Sequence, residues 1–380
     1  MSNNGLTERI FAETIAENGG RLYRVGGCVR DRLLGITPKD IDFCVVGMVK
    51  KNFKLLFPAA EECGKYFPVF RLTIDGRGCE VAFARTERKV GSGYKGFKIS
   101  SKPKVTIEED LFRRDTTVNS IAIDSLSGEI IDPFGGIKDI KNKILRATSQ
   151  HFSDDPIRAL RLAGQAARLG FLIDGDTLAL ASATADELGN EPVERVLAEL
   201  TKVLNEAQEP AQFFRVLAQS NLLQSVFEEM AELPAEEFDR AMVKLDAVAQ
   251  ATLSSKLRFA ALGLVMDSKS LSCWNSRMTL PGDWLNAAIM VRKVMTLLEF
   301  PNPEKIVTAL DKLRRGSLTV EEFDIISKAA KLSIPALEPF KATLRQSTYA
   351  VPDELKGKDI AQWIRQQHIN IIHVKGGWGT

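Results

Sequence analysis

The chain has 380 residues, more than one hydrophobic core usually serves, so two or three domains are expected, and its 44% hydrophobic and 26% charged residues are those of an ordinary soluble globular protein. A formal charge of +2 carries no whole-chain signal for nucleic acid, and five cysteines, odd in number and without a CxxC pair, argue against a zinc site or a disulfide framework. No apolar run reaches membrane-spanning length and the N-terminus is not signal-like, so no membrane association is expected and the expected compartment is the cytoplasm.

In chain order, Thr7 to Glu17 reads as an amphipathic helix ended by Asn18-Gly19-Gly20. A strand follows at Leu22 to Val25, then the Gly26-Gly27 turn, a helix over Val29 to Leu34, and a stop at Gly35-Ile36-Thr37-Pro38. Gly26 and Gly27 can expose successive backbone N–H groups to a phosphate oxygen, and they also suit a tight strand-to-helix turn. Ile41 to Val46 is apolar except for Asp42, as expected of a strand. Asp40 and Asp42, two apart, project from one face of that strand. Hard divalent cations prefer such carboxylate oxygens, and nucleotidyl transfer needs two of them, one for the attacking hydroxyl and one for the leaving pyrophosphate. An Asp-x-Asp pair alone is a weak signal. Joined to an upstream Gly-Gly and Arg30, it has the layout of a metal-dependent nucleotidyl transfer site.

Phe67 to Ile74 and Cys79 to Ala84 are strand candidates around the turn Asp75-Gly76-Arg77-Gly78. Glu80 is a candidate third carboxylate, or else a partner for Arg85 or a nearby lysine. Residues 1 to 150 hold 25 Lys plus Arg against 19 Asp plus Glu, a surplus of +6 that leaves −4 for the remainder. The bias sharpens at Arg85, Arg88, Lys89, Lys95, Lys98, Lys102 and Lys104, which face only Glu87. Such a stretch can attract a polyphosphate or a nucleic-acid backbone, or be a solvated loop.

Leu111-Phe112-Arg113-Arg114-Asp115-Thr116-Thr117-Val118-Asn119-Ser120 is the next dense cluster. An arginine pair can clamp a triphosphate, though adjacent arginines on a helix point apart and one of the two is expected to face the site. Asp115 and Asn119, four apart, can hold that clamp or meet the sugar. Strands are expected at Ser120 to Asp124 and Glu129 to Ile131. After about residue 147 helical spacing dominates, with breaks near Asn190-Glu191-Pro192, Glu209-Pro210, Pro281-Gly282 and Pro301-Asn302-Pro303.

At the start of that helical part stands Ser153-Asp154-Asp155-Pro156-Ile157-Arg158-Ala159-Leu160-Arg161. Ser153 or Asp154 is expected to cap a helix whose first turn holds Pro156. Asp155 only accepts hydrogen bonds when ionised and Arg158 only donates, and three residues apart they can lie side by side. Cytosine and adenine each present an amino donor beside a ring-nitrogen acceptor, whereas guanine and uracil present the reverse order. A fixed Asp and Arg pair would therefore accept C and A and reject G and U through unmade hydrogen bonds.

These clusters, together with Ala84-Arg85-Thr86-Glu87-Arg88-Lys89, Gly91-Ser92-Gly93-Tyr94, Asp132-Pro133-Phe134-Gly135-Gly136 and Lys143-Ile144-Leu145-Arg146, resemble the class II tRNA nucleotidyltransferases, the CCA-adding enzymes of the polymerase-beta-like superfamily. The resemblance runs from about Leu22 to Phe171 and fades beyond about residue 225. It implies an α+β fold, with a mixed-sheet head over residues 1–147, a helical neck with a base-recognition helix over 148–225, and a helical body and tail over 226–380, in a seahorse-like arrangement. It also implies Mg2+ dependence, ATP and CTP as substrates, and a tRNA 3′ end as primer, with the acceptor stem and elbow gripped by the later helices. Carried onto this chain, Gly27 and Arg30 contact the nucleotide, Asp40 and Asp42 hold metal, Arg114 binds phosphate or sugar, Asp155 and Arg158 read the base, and Arg161 supports them. Gly164 stands where related bacterial sequences carry an arginine, so one nucleotide contact is expected to be absent or supplied by Arg168. Three histidines, His151, His368 and His373, are too few for the HD phosphohydrolase domain of some relatives, and no such activity is expected. The alternatives are an enzyme that adds only CC, only A, or poly(A), and a non-catalytic tRNA-binding module. Between the first of these and full CCA addition, the segment from Arg85 to Lys104, with Gly91, Gly93 and Gly96, is the candidate lever.

Overall fold

In the computed structural model, which describes residues 5–64, 69–91, 96–332 and 350–375, the chain divides into two compact units. The first comprises Met1–Glu191 and Ser220–Leu222, the second Pro192–Gln219 and Leu223–Thr380.

The first unit opens with α1 (Glu8–Glu17), whose N-cap Thr7 accepts a hydrogen bond from the Ile10 amide at 3.2 Å. There follow β1 (Arg21–Val25), α2 (Gly27–Leu33), β2 (Asp42–Val46), α3 (Lys50–Leu56), β3 (Glu61–Cys63), β4 (Val69–Ile74), β5 (Arg77–Phe83), β6 (Thr86–Lys89) and β7 (Phe97–Ser100). After these come α4 (Ile107–Phe112), β8 (Ala122–Asp124), β9 (Ile130–Ile131), α5 (Gly136–Asn142) and, beyond a short parallel strand, α6 (Ile157–Leu169). Seven strands form a mixed sheet in the order β3-β4-β5-β2-β1-β8-β9. All neighbours are antiparallel except β2 and β5, which run parallel and set Asp42 opposite Glu80.

Both faces of β2 are covered, which is why that strand reads as nearly continuous apolar sequence. Phe43 and Val45 pack with Phe11, Phe53, Phe70 and Val81, while Cys44 packs with Tyr23, Val25, Ala84 and Leu111 on the other side. Alternation along the strand places Asp42 on the Cys44 side. Glu80, between Cys79 and Val81 of the first cluster, falls on that same side.

The basic stretch forms a hairpin rather than a loop: β6 and β7 pair antiparallel with Thr86 opposite Ser100. Phe67 and Pro68, at the start of one expected strand, and Ser92, Gly93, Tyr94 and Lys95 of the basic stretch lie outside the described residues.

The second unit is helical among its described residues, and its helices start where proline breaks the pattern. Pro192 and Pro281 occupy N-cap positions, and Pro303 stands in the first turn behind its cap Asn302. Val291, Ile306, Leu310 and Phe323 belong to one core, while Phe213, Phe227, Phe259 and Trp274 make an aromatic cluster of edge-on and tilted contacts. Arg258, 1% exposed, donates to the carbonyls of Leu204, Ala207, Ala249 and Thr252 at 2.8 to 3.1 Å. These carbonyls end the helices Val193–Glu206 and Ala235–Ala251, where a cation offsets the negative end of the helix dipole. No described helix is long and apolar enough to cross a membrane.

Candidate active site

The parallel pairing of β2 with β5 creates a cavity of about 410 Å3 lined by Asp40, Asp42, Glu80 and Arg71. Asp40 sits just before β2 on the exposed side, and Asp42 is half-buried at the strand's first position. Glu80 meets Arg71 across the sheet, with 3.5 Å between Oε1 and Nη2. The alternative partners named from sequence were Arg85 and lysines; Arg85 instead holds Glu87 at 2.8 Å. Among the described residues no three acidic, cysteine or histidine side chains converge on one preassembled metal position. Two aspartates with room around them still fit a divalent cation such as Mg2+, which keeps several waters and shares its remaining positions with phosphate oxygens.

At the end of β1, which pairs with β2, the chain turns at Gly26, whose φ of +75° favours glycine. A Cβ there would lie 3.0 Å from Nη1 of Arg114, so glycine also leaves room for that guanidinium. Arg114 is anchored by Asp110, which also holds Arg113 and the amide of Arg85. Burial alone would raise the Asp110 carboxyl, but Arg113 and Arg114 bring it down to about 2. The two arginines do point apart: Arg114 toward the glycine turn, Arg113 toward Glu87 at 3.0 Å.

Arg30, one turn into α2, donates from Nη1 to Oδ1 of Asn119 at 2.7 Å. Asn119 donates to Asp115 at 3.2 Å, and Asp115 accepts from Arg161 at 2.8 Å and from Gln165 at 3.1 Å. Arg30, Asn119, Asp115 and Arg161 thus form one chain of polar contacts from the glycine turn to α6. Asp115 is 4% exposed, and although burial works against its charge, Arg161 and the donors around it hold its carboxyl well below the usual range.

Arg158 is 7% exposed; its Nη1 donates to the carbonyl of His151 at 2.6 Å. Burial lowers its pKa, opposed by the charges of Asp155, Asp115 and Glu87. Asp155 stands in extended conformation just ahead of α6, and its carbonyl accepts the Arg158 amide at 3.0 Å. The expected cap is corrected here: Pro156 takes the N-cap position, with no side-chain cap bond. A short 3-10 turn over Gln150–Asp154 engages the other candidates, Asp154 with Nδ1 of His151 and Ser153 with the carbonyl of Leu180. Arg158 lines a second cavity of about 440 Å3 with Glu87, Arg113, Asp154 and Phe112. Asp40 and Asp42 therefore belong to the same compact unit as Arg158 but line a different cavity, and Asp155 is in the lining of neither. Gly164 is buried inside α6, and Arg168 follows Arg161 by two turns on the same face.

Three contributors escaped the sequence reading: Asp110, Gln165 and the role of Glu87. Asp110 stands three and four residues before the arginine pair, the spacing of helical ion pairs, and that signal was available.

Residues 22–146 match the family described as the Poly A polymerase head domain, and residues 170–233 match one described as a probable RNA and SrmB-binding site of polymerase A. The chain is 39% identical over 281 residues to the CCA-adding enzyme of Coxiella burnetii, covering 72% of this chain and 70% of that protein. It is 44% identical over 218 residues to the multifunctional CCA protein of Xanthomonas campestris, covering 56% of this chain and 52% of that protein, so it spans about half that relative's length. A solved apo CCA-adding enzyme shares its fold with a TM-score of 0.72 at 24% identity, over 96% of this chain and 91% of that one.

Proposed function

This chain belongs to the CCA-adding enzyme family of nucleotidyltransferases, and on that premise we propose that it completes or repairs the 3′-terminal CCA of tRNA from CTP and ATP without a nucleic-acid template. The observation that carries the reading is the register of β2 with β5. It brings Asp42 and Glu80 side by side, with Asp40, around one cavity, and β1, which pairs with β2 on its other edge, ends at the Gly26-Gly27 turn.

In this reading Asp40 and Asp42 hold divalent metal, as Mg2+, and Glu80 steadies the site or accepts the proton of the incoming 3′-hydroxyl. The bound ion supplies Lewis acidity for that hydroxyl and for the leaving pyrophosphate. Gly26, Gly27, Arg30 and Arg114 receive the triphosphate and sugar. Arg114 is suited to this because Asp110 fixes its guanidinium in place before any substrate arrives. Asp155 and Arg158 read the base, and Arg161 supports them through Asp115. The described helices of the second unit meet tRNA mainly through phosphates, reading shape. The reaction takes place in the cytoplasm, where tRNA is the partner.

Purified protein given a tRNA that ends before CCA, Mg2+ and one labelled nucleotide at a time tests this. Incorporation from CTP, followed by one A once two C are in place, is the expected result. Long A tails would move the protein to poly(A) synthesis, and no incorporation would make it a binding module.

A further inference from the structure

On the far side of the loop that carries Asp40 lies a third cavity, of about 430 Å3, whose charged lining is entirely cationic: Arg24, Arg32 and Arg77. Thr37, Cys28 and Ile41 make up part of the remaining wall. Ile41 lines the carboxylate cavity as well, and Arg77 begins the strand that carries Glu80, so the cavity whose charged lining is arginine alone adjoins the carboxylate cavity at Ile41.

The placement follows from helical periodicity. Cys28 and Arg32, four apart on α2, face this cavity, while Arg30, between them in sequence, reaches across to Asn119. One short helix therefore points one arginine at the polar chain beside the glycine turn and another at the opposite side. Arg24 is neutralised by Glu8, with Nε donating to Oε1 at 2.7 Å. Among the described residues, Arg32 and Arg77 form no ion pair, and both are exposed. Two such arginines lining one concavity, with no lining carboxylate, are suited to an oxyanion, which a guanidinium can meet bidentately.

We infer that this cavity binds a backbone phosphate of the tRNA acceptor strand, holding the primer so that its 3′-hydroxyl reaches Asp40 and Asp42. The inference rests on the proposed reaction and deepens it. A strand whose terminal hydroxyl enters the acidic cavity carries its first phosphate one nucleotide back, and it needs positive charge there that does not compete for the metal. A cavity that adjoins the acidic one at Ile41 provides that position. The triphosphate of the incoming nucleotide, or the pyrophosphate it releases, has the same chemistry, and the test separates these sources.

The test uses the full-length protein and its Arg32→Ala, Arg77→Ala and Arg32→Lys variants, first checked for unchanged melting temperature. Primer binding is measured with a tRNA lacking CCA, and with the same RNA carrying an uncharged methylphosphonate at the terminal linkage. Each alanine variant is expected to weaken primer binding roughly fivefold and to flatten its salt dependence by about one unit of slope, with the KM for CTP unchanged. Arg32→Lys should recover part of the loss. On the methylphosphonate primer the variants should bind as the parent does, because the phosphate charge they would meet is gone. If the KM for CTP or the affinity for pyrophosphate changes instead, the cavity serves the triphosphate and the inference is overturned. It is equally overturned if the variants lose the same affinity on both primers. These binding measurements need no turnover, so they stand apart from the incorporation assay that tests the reaction itself.

Discussion

Nη2 of Arg158 stands 3.7 Å from Oε2 of Glu87, which ties the arginine proposed to read the base to the β6–β7 hairpin. Glu87 also receives Arg85 and Arg113, so one carboxylate faces three guanidiniums. Its geometry decides how much of Arg158 is left to meet a base. Glu87→Gln keeps the shape and removes the charge. It is expected to change the ratio of CTP to ATP use by up to about tenfold, the equivalent of one charge-assisted hydrogen bond, with little change in tRNA affinity. Single-nucleotide incorporation on primers ending in zero and two C residues measures this, and an unchanged ratio would detach the hairpin from base choice.

Asp42→Ala removes a carboxylate proposed to hold metal, at the half-buried first position of β2. Transfer should fall below about 1% of the parent rate, given that single charge-stabilising groups in active sites are typically worth two to three orders of magnitude. tRNA binding, followed by filter retention, should stay within about twofold. Residual activity of several per cent would take Asp42 out of the metal site.

Asp110 carries a pH dependence whose sign is fixed by its shift. Its folded carboxyl lies at about 2, below the ordinary 3.8, so its stabilising effect is complete above about pH 4 and is lost as the pH falls toward 2. Asp110→Asn takes the ion-pair partner from half-buried Arg114 and leaves Arg113 to Glu87 alone, at a cost of about 3 kcal/mol near neutral pH. Urea unfolding of both proteins should show that difference constant between pH 5 and 8 and shrinking below pH 4. A difference that grows on acidification would contradict the assignment.

Arg258→Met should destabilise the second unit by about 3 kcal/mol, since four carbonyls, three of them in buried hydrogen bonds, lose their shared donor. Arg258→Lys should recover only part of this, because an ammonium offers three donors and lacks the planar fork. Thermal unfolding of the three proteins reads the order directly.

What could be read from the sequence was local. The glycine turn, the first helix and the proline breaks between later helices rest on contacts within a few residues, so composition and spacing reveal them; that Thr7 caps α1 rather than belonging to it is seen only in the structure. The pairing of Asp42 with Glu80 depends on which strands become neighbours in a seven-stranded sheet, and nothing near either residue encodes it. Asp115 and Arg161, 46 residues apart, meet for the same reason. The misplaced cap on α6 has a different cause: Asp154 and Ser153 both have cap chemistry, but His151 and the carbonyl of Leu180 compete for them. Asp110 was legible in its spacing to Arg113 and Arg114, but an acidic residue in a helix's first turn is also explained by the helix dipole alone.

The measurement that bears most directly on the account is the 3′-end sequence of a truncated tRNA after incubation with all four nucleoside triphosphates and Mg2+. Ends that read CCA and stop, with G and U absent, are the predicted outcome, and Arg158→Ala should let G or U enter. Ends unchanged from the starting RNA, or extended without regard to base by the parent protein, would contradict a site that both performs the transfer and chooses the base.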